Sequence, residues 1–376
     1  MIFDYELTLN DRTQMLLDEV LDREPMGSES IENIKKAINR SLDAQEIPLF
    51  TDGLAARLTQ LGCGSHTEDT KAMRKELDRR YREILGKECP KAVHNWINGG
   101  VPGTDGRINN YDVCWALEMD VRQTGTFMQK YFLTQPFNCK NRIDAIYLYC
   151  FYHRKPYALV KELLDLSEGF VTQEKAHSAT SRIEAAILSI DNDDTFKKYL
   201  SEHCYGKDQQ FQLARKIIDD DVEIIKDRIK PDRKGDGRLN NKIIESIYNR
   251  NYQSDGRSRG RKRKLPKRFT ESLPNDVTLG KILNGDEATY ETIRKTMILF
   301  RFYSFYSNED LNNYDPVEAN GNLLDFLSEI NDDLMRCGFA QIYMCHPFDC
   351  LIMYCANSDD PVQAFWNVCE YGWNQF

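Results

Sequence analysis

Apolar residues recur along the chain at spacings of three and four, the period of a helix buried along one side. Ile31, Ile34, Ile38 and Leu42 mark a first stripe, with Ser28 or Ser30 as its N-cap. Thr51 or Asp52 caps a second run that closes at Gly62, and a charged run from Thr67 ends at Gly86. Pro90 opens a short helix in which Val93, Trp96 and Ile97 share a face, and Asn98-Gly99-Gly100 stops it. Asn109 or Asn110 suits the cap of the next run, "YDVCWALEM", and a further run ends near Leu133. From Pro136 the chain becomes aromatic and apolar, helical runs follow over 178–190, 208–229 and 241–252, and apolar sequence resumes at 277–306 with an Asn-Gly helix stop inside it. Strand-like alternation appears only in short snatches, so the pattern predicts an all-α protein.

The punctuation divides the chain into an N-terminal extension (1–27), a first helical domain (28–133) and a second (134–252). A basic linker or loop (253–270) and a C-terminal helical domain (271–376) complete it. There is an internal echo. Pro136 to Cys139, "PFNC", precedes "DAIYLYC" and "KPYALVKEL"; Pro347 to Cys350, "PFDC", precedes "LIMYC" and "DPVQAFWNV". An Asn-Gly helix stop lies upstream of each copy. A duplicated helical unit and shared hairpin punctuation both fit.

At 376 residues, with 41% hydrophobic and 29% charged residues, the chain is long enough for two or three cores. It has no apolar run near the ~20 residues that span a bilayer. Its first residues lack the basic and apolar regions of a secretory signal, so a cytoplasmic protein without membrane contact is expected. The eleven cysteines are scattered and include no CxxC pair, which argues against a disulfide framework or a zinc ribbon. Cys345, Cys350 and Cys355 are spaced by five, about 140° apart on a helix. They read as buried free thiols, as does Cys204 beside His203.

Phosphate-binding, metalloprotease and serine-hydrolase signatures are absent, so no enzyme, metal or cofactor is expected. Asp191–Asp194 and Asp219–Asp221 read as solvated helix ends, and His153 as a hydrogen-bonded histidine. The aromatic segments "FRFYSFY" and "YMCHPFDCLIMYC" suit either a core or a groove for a homodimer or protein partner.

Charge changes this picture. The chain is acidic overall, at −9, yet residues 257–268 hold eight cations and no anion. Arg257, Arg259, Arg261, Lys262, Arg263, Lys264, Lys267 and Arg268 suit a phosphate backbone, on double-stranded DNA or on RNA; a solvated loop is the plain alternative. The short helix after Pro90 adds a second candidate. With Val93, Trp96 and Ile97 turned inward, Lys91, His94 and Asn95 point elsewhere, and these types can donate to phosphates or to base edges.

Trp96, Ile97, Asn98 and Gly99, then Pro102 and "INNYDVCWALEMDVRQT", resemble the repressor-type (lambda repressor and Cro-like) helix-turn-helix family, in which a Trp-aliphatic-Asn-Gly stop ends the recognition helix. "TDGLAARLTQLG" is similar to that family's second helix, and the resemblance covers about residues 28–133. It implies a DNA-binding transcriptional regulator of bacterial or mobile-element type, with Lys91, His94 and Asn95 facing DNA. The chain departs from the family between Cys63 and Glu88, where a whole charged helix stands. Either that helix is inserted, or "KELDRRYREILG" has itself become the support helix. The rival expectation is a helical adaptor of a protein or ribonucleoprotein complex, with the helix-turn-helix as scaffold.

Overall fold

A computed structural model of the chain describes residues 17–18, 20–21, 49–63, 69–99, 102, 106–132, 134–170, 180–228, 274, 276–286, 288–307, 315–344 and 346–371. The fold is all-α among these residues, with one isolated β-bridge between Asn141 and Tyr205. No helix among them is long and apolar enough to cross a membrane. The basic segment 257–268, with all eight of its cations, lies outside the described residues, as do most of 1–27 and all of 229–273.

Two compact units are present; of the described residues from 49 onward, the first takes in those of 49–210 and 338–340, and the second those of 211–337 and 341–371. The first holds α1 (Phe50–Gln60), α2 (Thr70–Arg80), α3 (Lys91–Ile97), α4 (Arg107–Ala116) and α5 (Val121–Tyr131). It continues with α6 (Arg142–Tyr152), α7 (Tyr157–Ser167), α8 (Thr180–Ser189) and α9 (Asp193–His203). Helix α2 runs on through a π turn, Tyr81–Leu85, to Gly86, whose φ of 65° closes it as the chain pattern predicts.

The core of this unit is aromatic. Tyr111 stacks on Tyr147 with centroids 4.6 Å apart, and Phe137, Phe151, Trp115 and Tyr157 complete the cluster. A second layer joins Phe50, Trp96, Phe127 and Phe132. Two buried carboxylates are held inside it. Asp112 accepts hydrogen bonds from Tyr147 Oη (2.6 Å), Tyr157 Oη (2.8 Å) and Lys87 Nζ (2.5 Å). Asp144 receives the Arg107 guanidinium on both oxygens and the Asn138 amide at 2.6 Å. A buried carboxylate needs such donors, because its desolvation otherwise costs several kcal/mol, roughly, per ion.

The second unit contains most of α10 (Lys207–Arg228), then α11 (Asp276–Leu283), α12 (Tyr290–Tyr306), α13 (Pro316–Arg336), α14 (Pro347–Ala356) and α15 (Pro361–Tyr371). Phe302, Tyr306, Phe326 and Phe365 cluster in its core, and Met344, Phe348, Leu351 and Tyr354 are buried with them. The aromatic C-terminal segments are therefore largely interior to this chain.

Each unit repeats the same local devices. Gly99 after α3 and Gly285 after α11 both follow an Asn and both have left-handed φ, 89° and 85°. Arg107 and Arg294 are buried and each pairs with a buried Asp, Asp144 or Asp349, at the third position of a later helix. Each Asp also accepts the amide of the residue six positions earlier, Asn138 or Tyr343. Each Arg donates to a loop carbonyl as well, Gln135 or Gln341. Tyr and Cys follow five and six residues after each Asp, and Pro twelve residues after it.

Three local expectations are corrected. Helix α4 starts at Arg107, and Asn110 is buried inside it rather than capping it. Asp221 lies within α10 and is buried against Ser304 and Arg301, so it is not a solvated helix end. The two Pro-Phe sequences do not hold equivalent places: Pro347 is the first residue of α14, whereas Pro136 lies in the loop before α6.

Candidate nucleic-acid interface

Helices α2 and α3 are joined by five residues, Gly86 to Pro90, and pack on one another. Seven residues make an isolated helix unstable in water, so α3 depends on its inner face. Val93, Trp96 and Ile97 are buried, and Trp96 sets its ring edge-on to Phe50 (5.7 Å) and Phe132 (5.6 Å). Removing a buried Trp side chain of this kind costs about 3–5 kcal/mol. Pro90 precedes the first helical residue, and Asn98 and Gly99 end the helix with amides bonded to His94, Asn95 and Trp96 carbonyls.

The opposite face of α3 is open. Lys91, Ala92 and Asn95 are exposed, offering a cation, a methyl group and an amide on adjacent turns. His94 is placed differently. Its Nε2 lies 2.6 Å from Asp78 Oδ1 on α2, so the ring is turned toward the support helix. Burial and the neighbouring Asp78 carboxylate push the Cys89 thiol in the turn up to about 12.

Helix α2 buries Met73 and Leu77 and exposes Lys71, Arg74, Lys75, Arg79 and Arg82. These cations were not singled out in the chain pattern because Glu76, Asp78 and Glu83 are interleaved with them. In space Glu76 and Glu83 are taken up by Arg79, and Glu76 also binds the buried Arg80. A groove of about 360 Å³ opens beside α1 and α5, lined by Arg57, Arg122, Gln123, Lys130 and Tyr131 among others. Arg57 is occupied there by the Leu117 and Glu118 carbonyls at 3.0 and 2.7 Å. Gly53 floors the groove because a Cβ at that position would sit 2.6 Å from the Tyr131 ring.

No protein-family model, curated protein or solved structure matches the chain. The site must therefore be read from its own residues. Of the positions singled out in the sequence, Lys91 and Asn95 share an exposed face, and His94 stands at its edge, engaged by Asp78. Arg257, Arg259, Arg261, Lys262, Arg263, Lys264, Lys267 and Arg268 fall outside the described residues, so no geometry joins them to α3.

Proposed function

We propose that the chain binds double-stranded DNA through α3, as a repressor-like regulator of transcription, with α2 as the support helix. The observation that carries this reading is the outward face of α3. Lys91, Ala92 and Asn95 are exposed on a short helix whose other side is locked by Val93, Trp96 and Ile97. Such a face suits the major groove, where Asn pairs with adenine, Lys with guanine or phosphate, and a methyl with thymine. The exposed cations of α2 favour a backbone contact for the support helix, as the family pattern requires. On this reading the charged segment between Cys63 and Glu88 is no insertion; it supplies the support helix itself.

The fold is internally duplicated in this account. The shared Asn-Gly stops, buried Arg–Asp pairs and matching Tyr, Cys and Pro spacings support a five-helix repeat, α3–α7 and α11–α15. The first copy keeps the reading helix, and the second serves assembly or partner binding. Residues 257–268 add phosphate contacts that carry no sequence information.

Competition among random duplex DNA, single-stranded DNA and RNA tests the proposal. Duplex is expected to win. Lys91→Ala should lower the salt slope by about 1, and Asn95→Ala should cost about 1–3 kcal/mol on a preferred site. Equal binding of all three polymers, lost only on deleting 257–268, would reject α3 as the reader. A chain without nucleic-acid affinity that instead forms a stable protein complex would return the function to the adaptor class.

A further inference from the structure

The turn between α2 and α3 brings together three side chains that ligate metals. Asp78 on α2, Cys89 in the turn and His94 on α3 each offer one ligand atom, and the three atoms lie within 4.8 Å of one another. Cys89 is buried, and the side chains of His94 and Asp78 are only 15% and 25% exposed. Tetrahedral zinc, with sulfur at about 2.3 Å and nitrogen or oxygen at about 2.0–2.2 Å, sets its ligand atoms roughly 3.3–3.6 Å apart. The His94–Asp78 edge, at 2.6 Å, needs to open by under about 1 Å, and the edges to the Cys89 sulfur, within 4.8 Å, have to close by no more than about 1.5 Å.

We infer that Asp78, Cys89 and His94 form a binding site for a divalent cation of the zinc class, with the fourth position open to water or an external ligand. The donor set decides the class. A thiolate and an imidazole favour zinc and its borderline-soft relatives, whereas magnesium and calcium prefer all-oxygen sites. Charge is consistent too: one thiolate and one carboxylate neutralise a dication in a mostly buried place. On binding, the Cys89 sulfur gives its proton to solvent and bonds the metal. The Nε2 lone pair of neutral His94 forms a second bond, with the imidazole proton carried on Nδ1. The Asp78 carboxylate replaces its contact with His94 by a bond to the metal.

The consequence is mechanical. The three ligands come from α2, the turn and α3, so the cation ties a seven-residue helix to its support at both ends of the connection. The inference needs only this geometry and stands whether or not α3 reads DNA.

The test uses the full chain, stripped with chelator and titrated with Co²⁺ and then with Zn²⁺. One equivalent of Co²⁺ should give tetrahedral d–d bands and a thiolate-to-cobalt charge-transfer band, and Zn²⁺ should bleach both. Cys89→Ser should remove the charge-transfer band. His94→Gln and Asp78→Asn should each weaken Zn²⁺ binding by more than about tenfold, a loss that even partners of metal ligands produce. Lys91→Ala, which alters the proposed DNA face alone, should leave the cobalt spectrum unchanged. If Cys89→Ser does not fold, His94→Gln decides the matter. Persistence of the charge-transfer band in Cys89→Ser would overturn the site, because another of the eleven cysteines would then hold the metal. So would unchanged Zn²⁺ affinity in His94→Gln, or no cobalt spectrum at stoichiometric metal.

Discussion

Replacing Arg107 by Met tests whether the buried Arg–Asp pair organises the first unit. The guanidinium donates to both oxygens of Asp144, to Thr134 Oγ1 at 3.1 Å and to the Gln135 carbonyl, and it lies 5.7 Å from the Tyr111 ring centroid. Methionine keeps much of the volume and the apolar stem but leaves Asp144 with the Asn138 amide as its main donor. Burial already pushes the Asp144 carboxyl up, and Arg107 is the group that most opposes this. Breaking one side of such a pair costs about 3–5 kcal/mol, because an uncompensated buried charge remains. Two compact units do not license a two-state treatment of one global unfolding curve. Hydrogen exchange resolved to α4 and α6 is the suitable assay. Opening should become roughly a hundredfold or more easier, the equivalent of about 3 kcal/mol at 1.36 kcal/mol per decade. Adding Asp144→Leu should recover part of the loss, since no lone charge is then left. A loss under about 1 kcal/mol in Arg107→Met, or a double variant that costs the sum of the singles, would refute the reasoning.

Other outcomes follow from the same geometry. Burial pushes the Asp221 carboxyl up to about 6, against Arg301 and Ser304, so the folded state holds that proton more tightly than the unfolded chain. The second unit should therefore gain stability as pH falls from above 6 toward 4, by up to about 3 kcal/mol, and urea midpoints for Asp221→Asn should lack this gain. Asp349 has the opposite sign: burial raises its carboxyl, but Arg294 and His346 outweigh burial and hold it at about 2. Its contribution, about 2 kcal/mol, is present above pH 4 and should be lost between about pH 4 and 2, with Asp349→Asn flattening that limb. Gly99→Ala forces a side chain onto a φ of 89° with no atom in its way, so the cost is backbone strain of about 1–2 kcal/mol. Gly280→Ala, within α11 and also unobstructed, should instead stabilise by about 0.5–1 kcal/mol; equal effects at the two positions in thermal melts would contradict this.

Helix α3 was legible in the chain because its three inward residues, its Pro start and its Asn-Gly stop are all local signals. Gly62 and Gly86 were legible for the same reason. The buried charges were not. Asp221 reads as a solvated helix end, and nothing in the local pattern marks Arg107, Asp112 or Asp144 as buried, because hydrogen-bond partners of these residues stand 25 to 83 positions away. The position of His94 depends on Asp78, sixteen residues earlier on another helix, which α3's own periodicity does not contain. The echo between the two halves is visible in the letters, but the Arg107–Asp144 and Arg294–Asp349 pairs are not, because each arginine stands 37 or 55 positions from its aspartate along the chain. Residues 257–268 were legible as charge alone, and charge without a fold specifies no site.

The proposed reading requires that the exposed face of α3 touch duplex DNA. A photo-crosslinking amino acid in place of Ala92, exposed on the same helix as Lys91 and Asn95 and outside the buried stripe, reads this directly. Crosslinks to duplex bases are expected from position 92, competed by unlabelled duplex, and none from the same group at Leu166 on α7, which is also exposed. Duplex bound with no crosslink at position 92, and crosslinks only from residues 257–268, would contradict it.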